Sequence, residues 1–410
     1  MIHRLIRALR LEIAAAYAAR LALTLVSVAL SPLPRRNKVT MLTRQSSRPP
    51  SDFVLLRQAI LREDPMIEVV VVARMVPPGI LAKFGYAVHL LKEMYHAETS
   101  RVLIIDGYSI IASAARHSDG LRIVQMWHAL GALKKFGLSI LGQAGGRDPR
   151  LAKAMRMHAG YDLVIASAER CRAPFAEAFG VSIDRVVVAP LPRVDRLRDP
   201  AERQKARATF DYLYPHLKGA RIALFAPTLR TEGALPGIDP VELTLRLKDA
   251  GYTTVTKLHP LVPAPRHPAL LTAPGMSTQQ MLLVADIFIT DYSSAVFEAA
   301  VAGVPSYLLA PDLDDYAVRR DFYVDYPDDL GLPLARTVDE LLEQVRSAAS
   351  TVQGAERLRG TWVTSDANGL ATDRLARVVL GRTTDPRTRE NAAGIDPPHR
   401  TSPTSVPENP

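Results

Sequence analysis

The chain has 410 residues, enough for two domains of ordinary size. Its 48% hydrophobic and 23% charged content suits a globular protein with a real core, and its single cysteine, Cys171, excludes an internal disulfide and fits a reducing compartment. The net charge of +9 is concentrated: residues 1–48 hold nine Lys and Arg against one acid, Glu12, so the body is nearly neutral and a nucleic-acid-binding surface is not expected.

Residues 11–31 are apolar apart from Glu12, Arg20 and scattered hydroxyls. A secretory signal would need a better cleavage site and a shorter basic lead. A spanning helix would hold Arg20 in mid-run, which is expensive in lipid. A helix lying on the membrane suits a short apolar run with basic flanks, and an ordinary helix packed on the body is the alternative. Residues 1–36 are therefore expected to associate with an anionic membrane surface, peripherally and from the cytoplasmic side.

From residue 37 to about 195, short apolar strands alternate with helical stretches. Strands are expected at 38–43, 67–73, 101–106, 121–126, 162–166 and 185–189, and helices at 51–62, 81–95 and from 168. That alternation predicts a parallel, doubly wound α/β sheet. The stretch 125–139, QMWHALGALKKFGLS, runs from a strand straight into Trp127 and His128. A histidine at a strand's carboxyl end lies where this fold class builds its sites, and near neutral pH it can take a proton from a hydroxyl. Lys134 and Lys135, just beyond, could hold an anionic acceptor. The Gly-rich turn 142–147 lacks the Lys-Ser/Thr of a P-loop and is expected as a loop beside the site. His89 and His96 share a helix face with no third ligand in view, so no metal site is expected.

The second domain is expected over 196–381. A charged helical link, 196–218, leads to a strand at 220–225, a helix at 239–250 with Pro240 in its first turn, and a strand at 253–258. A third strand, 284–289, ends in Thr290, Asp291, Tyr292, Ser293 and Ser294. A helix over 295–302, closed by Gly303 and Pro305, and a strand at 304–309 complete a βαβ unit. Three successive strands thus deliver Arg230, His259 and the Asp291–Ser294 turn to their carboxyl ends. Guanidinium, imidazole and hydroxyl donors converging there suit a diphosphate. The Asp-x-Asp at 312–314 is expected in a polar loop, not as a metal ligand pair. Helices are expected at 338–347 and 367–380. The tail, 382–410, is rich in Pro, Thr and Arg with few large apolar residues, and is expected to be disordered.

TDYSS with its helix and GVP turn, the later RDFYVDY (320–326), WHALGALKKFG (127–137), the Pro-rich turn following Gln45-Ser46-Ser47, APTLR (226–230) and KLHP (257–260) together resemble the CDP-glycerol glycerophosphotransferase family, the teichoic-acid primases and polymerases. Leu229 stands where that pattern usually has Trp, and Ala129 where it often has Gly. The resemblance implies two Rossmann-like domains facing a cleft, the GT-B arrangement. It implies transfer of glycerol phosphate or ribitol phosphate from CDP-glycerol or CDP-ribitol to a hydroxyl of a lipid-linked teichoic-acid-type acceptor, with release of CMP and without a cofactor. His128 would be the general base, and His259 a second catalytic group. Arg230, Asp291, Ser293 and Ser294 would bind the donor diphosphate, and Lys134 and Lys135 the acceptor. The alternatives are a GT-B nucleotide-sugar glycosyltransferase of envelope glycan synthesis and a non-catalytic membrane scaffold.

Overall fold

A computed structural model describes residues 2–382 except 78–79, 118, 144, 229–235, 259–266, 320 and 365–369. Arg230, His259 and the tail beyond residue 382 therefore lie outside the described residues.

The first half runs α1 (Ile2–Leu30), β1 (Lys38–Thr43), α2 (Ser51–Glu63), β2 (Glu68–Ala73), α3 (Ile80–Glu98), β3 (Val102–Ile105), α4 (Ile110–Ala114), β4 (Arg122–Gln125), α5 (Pro149–Ala154), β5 (Leu163–Ala166), α6 (Arg172–Phe179) and β6 (Val186–Val188). Helices α7 (Arg193–Arg198) and α8 (Pro200–Leu213) cross to the second half. There follow β7 (Ile222–Phe225), α9 (Pro240–Asp249), β8 (Thr253–Thr256), α10 (Thr278–Leu282), β9 (Ile287–Thr290), α11 (Ala295–Val301), β10 (Ser306–Leu309), α12 (Leu313–Arg319), β11 (Leu334–Ala335), α13 (Val338–Arg346), α14 (Val352–Trp362) and α15 (Ala371–Val379).

The strands form two sheets, ordered β2-β1-β3-β4-β5-β6 and β11-β10-β9-β7-β8, with every pairing parallel. Strands buried on both faces need apolar residues throughout, which is why β3, β5 and β9 read as continuous apolar runs. Helix starts are set locally. Asp148, Asp199 and Asp239 each precede a proline and cap α5, α8 and α9 by accepting a backbone N–H.

Three findings depart from the sequence expectations. The Asp-rich stretch expected as a polar loop is helix α12, with Asp314 paired to Arg336. Helix α10, held by a capping box from Ser277 and Gln280, and helix α14, capped by Thr351, are additional elements. Helix α15, the last among the described residues, packs on α2 in the first half. The Gly-rich turn is a loop, as expected, and a tight one: Gly142 N–H bonds the Arg147 carbonyl at 2.9 Å, and a Cβ at Gly146 would lie 1.7 Å from the Ile140 carbonyl oxygen.

Helix α1 lies on α3, α4 and α5, burying Leu23 and Ser27. The Ser27 hydroxyl donates to Glu98 at 2.6 Å, and His117 Nδ1 lies 2.6 Å from the same Glu98 oxygen. Its outer face leaves Leu11, Tyr17, Leu21, Leu25 and Val28 exposed. Leu9–Leu30 is long and apolar enough to cross a membrane.

Candidate active site

In open α/β sheets, ligand sites form where strand order reverses. In the first sheet that point lies between β1 and β3, and in the second between β7 and β9. Of the residues singled out from the sequence, Asp291, Ser293 and Ser294 follow β9, while His128, Lys134 and Lys135 follow β4, the neighbour of β3.

At the first switch point, the carbonyl of Asp106, just past β3, accepts a hydrogen bond from His128 Nδ1 at 2.9 Å. A carbonyl can only accept, so Nδ1 carries the proton and Nε2 keeps its lone pair. His128 is accessible to solvent but crowded by protein on its other sides. That desolvation lowers its pKa below the ordinary 6.5; the bond to Asp106 opposes the shift and the charge of Arg193 reinforces it. The result is a neutral imidazole with an acceptor nitrogen, the state a general base requires.

The residue before it is held firmly. Trp127 adopts a left-handed φ of 60°, rare for a bulky side chain. Its N–H bonds Gln125 Oε1 at 2.9 Å, its indole stacks on Phe136 at 4.8 Å and 14°, and Phe179 meets it edge-on. The left-handed residue is thus Trp127. Ala129 adopts no positive φ, so the glycine freedom that the resemblance suggested at that position is not required here.

Asp106 itself is a residue that the sequence reading passed over as the end of a strand. Its carboxyl is buried, and desolvation raises its pKa from 3.8 to about 6 against the hydrogen bond from Thr43. A single acid at the end of a strand offers no spacing signal by which to find it.

At the second switch point, Asp291 follows β9. One oxygen of its carboxylate accepts the Thr228 N–H at 2.7 Å and the Tyr292 N–H at 2.6 Å. This joins the loop after β7 to the loop after β9. Tyr326 donates to the Asp291 carbonyl at 3.1 Å, and Tyr292 donates to Asp312 at 3.0 Å while stacking on Tyr316 at 3.8 Å. Ser293 Oγ accepts the Ala295 N–H at 3.3 Å, and Ser294 makes no side-chain cap bond to α11. The Ser294 hydroxyl is therefore not consumed in capping.

The two halves meet through the segment that follows His128. Lys134 and Phe322 form an antiparallel bridge, with Lys135 N–H to Asp321 O at 3.0 Å and Tyr323 N–H to Leu133 O at 3.0 Å. Lys135 is ion-paired with Asp321, Lys134 lies over the Tyr316 ring at 6.0 Å, and Ser139 bonds the Tyr323 hydroxyl at 2.5 Å. Gly131 sits under Phe297 of α11, where a Cβ would come within 2.3 Å of the ring. The lysine segment and residues 321–323, far apart in sequence, are thus one contact. A cavity of about 1020 Å³ lies elsewhere, between α2, α7 and α8, and includes none of these groups. Among the described residues, no cluster of three His, Cys, Asp or Glu is arranged to hold a metal.

Comparison with known proteins agrees over most of the length. The family model CDP-Glycerol:Poly(glycerophosphate) glycerophosphotransferase matches residues 30–381. The teichoic acid ribitol-phosphate primase of Bacillus spizizenii is 29% identical over 327 residues, covering 77% of this chain and 84% of that protein. The teichoic acid poly(ribitol-phosphate) polymerase of the same organism is 35% identical over 273 residues; these cover 63% of this chain but 43% of the polymerase, so the chain spans less than half of that relative. A structure of the wall teichoic acid polymerase TagF, from a variant soaked with CDPG, matches with a TM-score of 0.69 over 93% of this chain and 98% of that one. At 16% identity this likeness establishes the fold, two facing parallel-sheet halves of the GT-B kind. On the match spanning residues 30–381, the chain belongs to the CDP-glycerol:poly(glycerophosphate) glycerophosphotransferase family and is a transferase of that type.

Proposed function

We propose that this enzyme transfers an alditol phosphate, glycerol phosphate or ribitol phosphate, from a CDP-alditol to a hydroxyl of a lipid-linked teichoic-acid-type acceptor. The carrying observation is the His128–Asp106 hydrogen bond, which fixes a basic Nε2 at the first switch point. In this reading His128 takes the acceptor's proton as the acceptor oxygen attacks the alditol-bearing phosphorus. The bond from that phosphorus to the bridging oxygen breaks, and CMP leaves.

The donor's diphosphate belongs to the second half, at the Ser293–Ser294 turn, with Arg230 and His259 as further donors. Asp291, itself anionic, acts by holding the Thr228 and Tyr292 backbone in place and not by touching phosphate. Lys134 and Lys135 line the acceptor side. Helix α1 rests on the membrane through Leu11, Leu21, Leu25 and Val28, keeping the enzyme beside its lipid-linked acceptor.

The test is product analysis by mass spectrometry. Purified enzyme is incubated with CDP-glycerol or CDP-ribitol and a short lipid-linked phosphodiester acceptor. Release of CMP, with the acceptor gaining an alditol phosphate, is the expected result. Release of a nucleoside diphosphate from a nucleotide sugar, with both CDP-alditols untouched, would overturn it.

A further inference from the structure

Residues 192–195, between the last strand of the first half and α8, do more than connect. Arg193 at the start of α7 bonds Asp52 on α2 twice at 2.8 Å, through its backbone N–H and through Nε, and pairs with the same carboxylate through Nη2. Its Nη1 pairs with Glu298 on α11. Gln279 of α10 donates to the same Glu298 oxygen at 3.4 Å, and Ser51 of α2 reaches Gln279 at 3.5 Å. The ring of bonds closes on itself: α2, α7, α11, α10 and back to α2. Two residues on, Asp195 accepts the Ala371 and Thr372 N–H groups at 2.8 Å each, tying the start of α15 to the same point.

The charges are nearly dry. The side chains of Asp52, Arg193 and Glu298 retain 2%, 13% and 12% of their exposure. Buried ion groups seldom stabilise a fold better than apolar ones of the same size, because desolvation offsets the attraction. What such a group does supply is geometry: a guanidinium fork accepts carboxylates in few orientations. Here the fork joins the two halves. Glu298 lies on the helix opened by Ser294, and the charge of Arg193 is felt by His128 and Asp106 in the other half.

We propose that Arg193 is a positioning residue. By holding Asp52 and Glu298 together it fixes the angle between the two halves, and so the separation of His128 from the Ser293–Ser294 turn. This rests on the transfer reading above for its consequence, but not for its geometry. A base misplaced by about 1 Å loses on the order of 100-fold in rate. Substrate contacts within the second half are left alone.

The test reads geometry and rate separately. Spin labels are placed on Met66→Cys in the first half and Leu245→Cys in the second, both exposed, while the native Cys171 is fully buried. Pulsed electron resonance then gives the distribution of distances between the halves. Arg193→Met and Glu298→Gln are each expected to shift or broaden a narrow distribution, with melting still cooperative. Both should lower kcat by roughly 100-fold and change the CDP-alditol Kd by less than about threefold, with Arg193→Lys falling between them and the parent. Glu298→Gln cuts only the arm to the second half and decides the matter should Arg193→Met not fold. Unchanged distributions in the folded variants overturn the proposal. A parent enzyme that uses neither CDP-alditol overturns the transfer reading, and the distance measurement still judges the tether.

Discussion

Asp162 in the first half and Asp286 in the second make the same bond. Each stands just before a strand, and each carboxylate accepts an N–H from the first two residues of a neighbouring strand: Ile123 at 2.7 Å and Ile222 at 2.6 Å. At the amino ends of their strands the halves are thus built alike. At the carboxyl ends they part. In the first half, Asp106 is buried beside a histidine that holds its own proton on Nδ1. In the second, Asp291 is filled by two backbone N–H groups. A carboxylate supplied with amides is a brace; a histidine whose one nitrogen is fixed and whose other is not is a reagent. The same scaffold yields either, depending on what donates to the residue past the strand.

The largest effect that would break this contrast is at His128. If His128 is the base and the donor binds the other half, as proposed, replacement by Ala should lower kcat by about 10²- to 10⁴-fold while calorimetry finds CDP-alditol binding intact. Unchanged turnover would show that the first half contributes no proton acceptor. In the parent enzyme the acid limb of kcat/KM should have its midpoint below 6.5, since desolvation by the protein crowded around it lowers the imidazole pKa.

Asp106 titrates too, from a raised pKa. Its folded pKa, about 6, lies above the unfolded 3.8. A carboxyl so shifted is held comfortably below pH 4 and becomes an uncompensated buried charge as pH rises through 6. Asp106→Asn should therefore be more stable than the parent above pH 6, by up to about 3 kcal/mol at 1.36 kcal/mol per unit, and equal to it below pH 4. Denaturant melts at pH 4 and pH 7.5 check this. If the acid limb of activity stays in place in Asp106→Asn, that limb belongs to His128.

The two switch points were legible to different degrees. Strand runs of four to six apolar residues and Asp-Pro helix starts are local signals, and they predict both sheets. His128 was visible because it follows a strand directly. Asp106 was not, because its importance lies in which carbonyl meets which ring 22 residues later. Arg193 falls between the last expected strand of the first half and the charged link at 196–218, and carried no signal of its own. Its partners are 141 and 105 residues away, and no short pattern encodes a contact of that span. Likewise α12 was hidden because Asp-rich sequence suggests a loop, whereas two of its acids lie in the first turn, where they suit the helix dipole.

Gly131→Ala tests how closely the halves are fitted. The added methyl would meet the Phe297 ring, so stability should fall by about 1–3 kcal/mol. Phe297→Leu in the same chain should recover part of that loss, which independent sites would not do. A double-mutant cycle by thermal melting measures the coupling, and a value near zero would mean that the contact between halves yields freely.

The smallest effect separates two roles for Lys135. Its pair with Asp321 is exposed and contributes less than about 1 kcal/mol to stability, so neither Lys135→Ala nor Asp321→Ala should shift the melt appreciably. Their kinetics differ. If Lys135 serves the acceptor, removing it raises the acceptor KM, and removing Asp321 lowers KM or leaves it unchanged by freeing the ammonium. If Lys135 only links the halves, both changes act alike, because each breaks the same bond. Steady-state assays with varied acceptor distinguish the two, and parallel behaviour would move Lys135 from the chemistry of the first half to the joint between them.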